Sequence, residues 1–373
     1  MQAASLSSEP GSRAGSPDDR TREGAISPEK TSISVVIPAW NAEGTLGRCL
    51  ESVAAQEEPP FEVIVVDDAS EDATAGIARA AGVRVVTCDR RRGPARARNR
   101  GVEEASGNVI LFLDSDVTIP PDLTAGMREL FDSDGGVTAV QTLYTPLCPA
   151  SDPVSRYQNF YYHHALARMD ADNVATFATW CAAVRRNVFR QLGGFNTLIP
   201  EPTVEDEELG YEIADTGGRI HLARDMQVTH LASYTLRQFT RRRLRMARAQ
   251  AKSGWRSVKE RLLKRYVNLR ETGTHHSRWV VLSILLTVFA CACLAGTLVS
   301  SYPGGFTPGT VLLAALLSFV AALACHAGFF RRAVTCLGRR VLPAFAVICL
   351  VDMAILGWGI VQGTFQYFTG RHY

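Results

Sequence analysis

Short β-branched runs at 33–37, 63–66, 83–86 and 109–113 alternate with Ala-, Glu- and Arg-rich stretches of helical spacing at 43–56, 70–81 and 94–105. Strand–helix–strand repeats of about 25–30 residues predict a parallel sheet with right-handed crossovers, an α/β nucleotide-binding architecture. The run 109–113 is apolar at every position, the pattern of a strand covered on both faces. From 135 to 230 the pattern is less regular. It predicts helices near 153–169 and 205–216 and short strands near 137–142, 219–222 and 226–230, as a second half of the same domain.

Either side of this domain, 31–234, the pattern changes. Residues 1–30 are rich in Ser, Gly, Pro and charge without apolar periodicity. A disordered tail is expected there, without the apolar core of a signal peptide, so the domain is expected to stay in the cytoplasm. In 235–276 the apolar Leu236, Phe239, Leu244, Met246, Trp255, Val258, Leu262 and Leu263 alternate with Arg and Lys. That pattern predicts basic amphipathic helices lying in a headgroup layer. No Asp, Glu, Lys or Arg occurs between Trp279 and Phe330, and a Ser-Ser-Tyr-Pro-Gly-Gly turn interrupts the apolar run. Three transmembrane helices are predicted, at about 279–301, 309–330 and 341–368. Arg331, Arg332, Arg339 and Arg340 fall between the second and third, so the basic-loop rule puts the C-terminus outside. Asp352 lies inside the third, where a carboxylate is costly, and asks for a partner such as His326 or Gln362, or for a packing contact between helices.

Charge sharpens this division. The chain is only +3 overall, yet 235–270 holds thirteen Lys or Arg against one acid, Glu260. Such a block suits nucleic acid or an anionic membrane surface. The adjoining apolar runs favour membrane and no nucleic acid. Nine cysteines form no Cys-x-x-Cys pair and no zinc spacing, so they read as small buried hydrophobes in a reducing compartment.

Candidate chemistry collects where the strands end. The first runs into Pro38-Ala39-Trp40-Asn41-Ala42-Glu43, the second into Asp67-Asp68-Ala69-Ser70-Glu71-Asp72. The third leads to the basic loop 90–101, which opens a helix and so forms an anion cradle. The fourth ends in Asp114-Ser115-Asp116, oxygen ligands suited to a hard divalent cation shared with phosphates. Ligands of open α/β sheets bind at this edge. Together these elements ask for a nucleoside diphosphate. Glu205-Asp206-Glu207-Glu208 also fits the start of a helix, whose dipole favours acids.

In order, the segments Ser-Val-Val-Ile-Pro-Ala-Trp-Asn, Val-Asp-Asp-Ala-Ser-Glu-Asp-Ala-Thr, Gly-Pro-Ala-Arg-Ala-Arg-Asn-Arg-Gly and Phe-Leu-Asp-Ser-Asp are followed by Gly193-Gly194-Phe195-Asn196 and Val204-Glu205-Asp206-Glu207. From about 32 to 249 the chain thereby resembles the family-2 glycosyltransferases of the GT-A fold, a Rossmann-like nucleotide-sugar-binding domain. The resemblance implies that Pro38, Ala39, Asn41, Glu43, Asp68, Arg96 and Asp114 hold the nucleotide, with Asp68 at the base. It implies Mg²⁺ or Mn²⁺ on Asp114 and Asp116, with His230 where some such enzymes supply a third ligand. Asp206 would be the catalytic base. A UDP-sugar donor is implied in the same way. Trp180-Cys181-Ala182 departs from the Gly-x-Asn often found before the paired arginines 185 and 186.

The expected activity is inverting transfer of a sugar from a nucleoside-diphosphate sugar to a lipid or lipid-linked saccharide at the cell membrane. A processive polysaccharide synthase is the alternative. Gln238-Phe239-Thr240-Arg241 is similar to the Gln-x-x-Arg-Trp element of such synthases, but no Trp follows and three spans are few for a channel. A silent scaffold retaining the fold is the second alternative, disfavoured by the intact acidic sets.

Overall fold

Strand β1 (Ile33–Ala39) pairs in parallel with β2 (Glu62–Asp67) and with β4 (Val109–Leu113), and β2 pairs with β3 (Arg84–Thr87). These are the four β-branched runs of the sequence. The computed structural model describes residues 30–171, 174–199, 203–259, 278–299 and 308–373. The expected tail, the second part of the basic segment (260–277) and the turn between the first two apolar helices (300–307) lie outside the described residues.

Beyond β4 the sheet continues as β7 (Cys181–Arg185), β6 (Val137–Tyr144), β8 (Arg219–His230) and the two-residue β5 (Val117–Thr118). β7 runs antiparallel to both β4 and β6. It is built from Cys, Ala and Val buried on both sides, so no period-2 alternation announces it. β8 replaces the two short strands expected at 219–222 and 226–230. Its register against β6 jumps between Ala223 and Gln227, and this bulge gives one strand the look of two.

Helices α1 (Leu46–Ala54), α2 (Thr74–Ala80) and α4 (Leu123–Ser133) are in the layer with one sheet face. α3 (Pro94–Glu104), α6 (Arg186–Gln191) and α7 (Glu205–Asp215) are in the layer with the other. Alternation along β4 sends Leu111 and Leu113 to the first layer and Ile110 and Phe112 to the second, where Phe112 meets Phe177, Phe189 and Phe195. Gly101 lets α3 lie directly on the sheet, since a Cβ there would collide with Val36.

A third apolar cluster fastens the C-terminal helices. α5 (Pro153–Leu166), whose Asp152 side chain caps it by accepting from Ser155 N–H (2.8 Å), contributes Tyr157 and Phe160. Against them pack Phe239 of α8 (Leu236–Lys259), Phe329 and Phe345. Each such burial stabilises by roughly 1.5–3 kcal/mol. α9 (Arg278–Val299) and α12 (Leu342–Phe368) are long and apolar enough to cross a membrane. The expected middle span, 309–330, falls on a bent pair of helices that together are apolar enough to cross a membrane. α10 (Pro308–Ala324) breaks at Cys325–His326 and turns by 61° into α11 (Ala327–Leu337). Arg331 and Arg332 therefore ride on a helix that presses Phe329 against α5, not on a loop.

α12 runs beside α8. Gly359 and Gly363 form a shallow seam where a Cβ would strike Ala247 and the Arg248 backbone. The Trp255 indole donates to Thr364 Oγ1 (3.0 Å) and Arg248 Nε to Gln362 Oε1 (2.7 Å). Lys252 Nζ donates to the Tyr373 carbonyl (3.1 Å) and Arg256 Nη1 to that of His372 (2.5 Å), so the end of α12 rests on the basic helix. This packing does not carry the last residues away from the α/β domain. Asp352 finds its partners there too. Arg243 donates to both of its oxygens (Nε 2.6 Å, Nη2 2.8 Å) and the Tyr157 hydroxyl to one (3.2 Å). Asp352 is wholly buried, and neither His326 nor Gln362 is its hydrogen-bonding partner.

Candidate active site

Where β4 stops, the chain turns through Asp114, Ser115 and Asp116. The turn is fixed by backbone bonds from Val117 N–H to Asp114 O (3.1 Å), Asp114 N–H to Trp180 O (3.0 Å) and Leu231 N–H to Asp116 O (2.7 Å). A cavity of about 100 Å³ opens beside it, lined among others by Arg98, Asp114, Glu205, Asp206, His230 and Arg242. The structure thus gathers Asp114, Asp206 and His230 in one place, and Asp116 joins them through His230, whose Nε2 lies 3.4 Å from its Oδ2. His230 is held by Tyr144 and Tyr234, at ring separations of 5.0 and 6.0 Å.

Arg98 is the residue that sequence reasoning missed. It is only 4 % exposed, with Nη2 2.8 Å from Asp114 Oδ1 and Nη1 3.3 Å from Glu205 Oε1. One guanidinium therefore bridges the β4 end to the start of α7. Arg96, chosen from the resemblance, is exposed and lines a different depression with Arg92, Asn99 and Arg100. The signal was in the helix period: Ala95, Arg98 and Val102 share the buried face of α3, and Arg96 does not.

The other expected nucleotide contacts do not line this cavity; they lie at and just after the C-terminal ends of β1 and β2. Asn41 Oδ1 accepts from Glu71 N–H (2.9 Å) and Glu43 Oε2 from Ala73 N–H (3.1 Å), tying the β1 and β2 loops together. Asn41 (φ 48°) and Ala69 (φ 59°) take up the left-handed conformations that this crossing requires. Pro38 and Ala39 are the last residues of β1, and the Ala39 carbonyl accepts from Asp68 N–H (2.8 Å). Asp68 is buried, its oxygens accepting from Arg92 N–H (2.8 Å) and Gly93 N–H (2.7 Å), so it fixes the start of α3. Just after β1, Trp40 carries the Arg91 guanidinium 3.4 Å above its ring.

Five carboxylates, Asp114, Asp116, Glu205, Asp206 and Glu207, face two guanidiniums, Arg98 and Arg242. The site is short of positive charge, and its acids show it. Burial, with Glu205 and Glu207 adding, raises the Asp206 pKa to about 8 against the pull of Arg98. Burial likewise raises Glu207 to about 7. Asp114 is pushed up by burial and by Asp116, and Arg98 offsets only part of this. Asp116 goes the other way: burial would raise it, but the His230 imidazole beside it holds it down. Asp116 stays the anionic end of the cavity and Asp206 the proton-holding end.

Among the described residues no group of three or more His, Cys, Asp and Glu gathers at metal-holding distance. The pair Asp116–His230 supplies two convergent ligands, with Asp114 adjacent but partly committed to Arg98. That donor set fits a hard cation that keeps few protein ligands and completes its shell with phosphate oxygens and water.

Residues 34–193 match the family described as Glycosyl transferase family 2. Over 114 residues, 30% of this chain and 33% of the relative, the sequence is 43% identical to succinoglycan biosynthesis protein ExoO of Rhizobium meliloti. Over 201 residues, 50% of the chain and 26% of the relative, it is 35% identical to glycosyltransferase GlyA of Streptococcus pneumoniae. The chain thus spans less than half the length of these curated relatives. In three dimensions it is similar to mannosyltransferase PcManGT from Pyrobaculum calidifontis, solved with GDP-Man and Mn²⁺. The TM-score is 0.52, with 21% identity, covering 91% of this chain and 88% of that one. At that identity the likeness shows a shared fold.

Proposed function

Because residues 34–193 form a family 2 glycosyltransferase domain in a GT-A fold, we propose that the chain is a membrane-bound, cation-dependent, inverting glycosyltransferase. It moves a sugar from a nucleoside-diphosphate sugar, with UDP the expected nucleotide, onto a lipid or lipid-linked saccharide. The observation that carries this reading is one cavity with Asp206 at one end and the Asp114–Asp116–His230 turn at the other, bridged by buried Arg98.

Each end has its own task. The donor's diphosphate lies toward Asp114 and Asp116, with Pro38, Ala39 and the Asn41–Glu43 brace forming the rim for its nucleoside. Asp68 acts on the base through the Arg92–Gly93 loop that it holds. Mg²⁺ or Mn²⁺ held by Asp116 and His230, with Asp114 beside them, would supply Lewis-acid stabilisation of the departing diphosphate. Asp206 takes the proton of the acceptor hydroxyl while that oxygen bonds to the anomeric carbon. The carbon–phosphate-oxygen bond breaks with its electron pair going to the diphosphate, so the anomeric centre inverts. Arg242, exposed into the same cavity and holding the Tyr234 hydroxyl (2.7 Å), stands ready to meet the product's charge.

A membrane acceptor is supported by a groove of about 270 Å³ next to the cavity, sharing Thr203 with it. Arg245, Arg248, Lys252 and Arg256 line one side and Ile199 and Val204 the other, a surface for a phosphate carried on an apolar chain. The apolar faces of α9, α10 and α12 lie exposed on the same molecule. We place the α/β domain on the cytoplasmic side, and the end of α12 with it, since that end rests on α8. The expected outcome is a wild-type product, one sugar heavier than its acceptor, when membranes or extracted lipids receive a panel of nucleotide sugars. Mass spectrometry of the lipid fraction is the check. Products in a long ladder would favour the processive alternative, and no mass shift with any donor would count against transfer altogether.

A further inference from the structure

The wall of the cavity formed by α5 and by Trp180 contains polar groups that the mechanism above leaves unused. Gln158 is 4 % exposed and Asn159 2 %, yet Gln158 Oε1 and Asn159 Oδ1 have no hydrogen-bond partner, nor has the buried Trp180 Nε1. All three residues line the cavity that holds Asp206. Buried polar atoms are nearly always paired, and each one left unpaired is costly, so these three, with Arg98 Nε also unpaired in the same cavity, ask for a ligand. Asn159 is oriented by its own contacts, since Nδ2 donates to the Thr145 carbonyl (2.8 Å) and leaves Oδ1 as the open atom. Trp180 is equally fixed, by its carbonyl on Asp114 N–H and by Tyr144 stacked at 4.5 Å.

Two amide oxygens accept hydroxyl protons and an indole N–H donates to an oxygen. Aromatic faces of Tyr144, Tyr162 and Trp180 stand beside them. An acyl chain would leave all three groups unpaired. A phosphate finds its partners in the guanidiniums of Arg98 and Arg242, which line the same cavity, and at Gln158 and Asn159 would meet two carbonyl oxygens. A neutral polyhydroxyl ring satisfies Gln158, Asn159 and Trp180 together. The ring also lies at the Asp206 end, because Thr179 N–H, one residue before Trp180, donates to Asp206 Oδ2 (3.3 Å).

Resting on the glycosyltransferase reading, we infer that Gln158, Asn159 and Trp180 form a subsite for the terminal sugar of the acceptor. The acceptor's reactive hydroxyl therefore belongs to a saccharide, and any phosphate it carries lies farther out, toward the basic groove. Gln158→Met keeps size and packing while removing the hydrogen-bonding atoms, and Trp180→Phe keeps an aromatic face on Tyr144 while removing the indole N–H. Each variant is expected to raise the KM for a lipid-linked saccharide about tenfold, the loss of one buried hydrogen bond. The loss falls on the acceptor's KM rather than the donor's. An equal rise in donor KM would overturn the inference by assigning these atoms to the donor sugar. A sugar-free lipid phosphate accepting as well as the saccharide lipid would overturn it too.

Binding is read separately, by tryptophan fluorescence of the full chain titrated with soluble methyl glycosides and disaccharides. A saturable change weakened about tenfold by Gln158→Met supports the subsite, and no change with any sugar overturns it. If no nucleotide sugar is turned over while sugar binding persists, the transferase reading fails and the saccharide subsite stands.

Discussion

Asp206→Asn is expected to abolish most transfer while leaving the donor bound. The substitution preserves size and leaves one oxygen to accept from either Thr179 N–H or Glu207 N–H, which now bond to Oδ2 and Oδ1 respectively. What it removes is the ability to accept a proton. General-base catalysis of this kind contributes roughly 10²–10⁴-fold, and a loss of that size is expected in kcat. The wild type adds a pH signature. With its pKa raised to about 8 by burial and by Glu205 and Glu207, Asp206 is mostly protonated at neutral pH. A base must be ionised to work, so the rate rises with pH and levels off above about 8. The remaining rate of the Asn variant lacks this rise. Steady-state kinetics from pH 6 to 9.5 (a window of roughly two units below and above, since titration spans about two decades) is the check. An Asn variant within threefold of wild type (about half a decade, well short of the range for a general base) would remove Asp206 from the chemistry.

Asp352→Leu is the second large effect, and it acts through stability. The carboxylate is fully buried between the Arg243 guanidinium and the Tyr157 hydroxyl. Removing one member strands the other as a buried charge, which costs about 3–5 kcal/mol. At 2–4 °C per kcal/mol, the expected fall in the unfolding midpoint in detergent is on the order of 10 °C. Replacing both charges, as Arg243→Met with Asp352→Leu, recovers most of it, because an apolar pair of similar volume avoids the desolvation that the ion pair carries. Function does not return as fully. Tyr157 precedes Gln158, and Arg243 follows Arg242, so Asp352 sets the register of two cavity-lining elements at once. α8 also reaches α7, where Gln250 donates to Glu207 (3.3 Å) and Ser253 to Glu208 (2.9 Å). The double variant is therefore expected to keep a raised acceptor KM at near-normal stability. A single variant as stable as wild type would show that the buried pair is not what holds α8 to α12.

The contrast between the two residues shows what the sequence could and could not reveal. The positions of Asp114, Asp116 and Asp206 at a strand end and a helix start are legible because each follows a local pattern, a fully apolar strand ending in acids or an acidic helix start. The four parallel strands were readable for the same reason. Arg243 as the partner of Asp352 was not, since 109 residues separate them and only tertiary packing joins α8 to α12. His326 and Gln362, nearer in sequence, are not hydrogen-bonded to it, and Gln362 serves Arg248 instead. β7 escaped notice because its alanines carry no strand signal. The bend at Cys325–His326 within the middle apolar run is not legible, because apolar composition does not register it. Arg96 was preferred to Arg98 by motif when helix periodicity, applied to α3, separates the buried residue from the exposed one.

One titration tests most directly the claim that the acidic turn after β4 and Asp206 work across a shared cavity. Nucleoside diphosphate release from the accepted nucleotide sugar is followed in purified wild-type protein as divalent cation is chelated and restored. The same is done with Asp116→Ala. Release that stops on chelation, returns with Mn²⁺ or Mg²⁺, and stays low in Asp116→Ala at every cation concentration is the predicted result. Release that continues at full rate in chelator, or in Asp116→Ala, would contradict it.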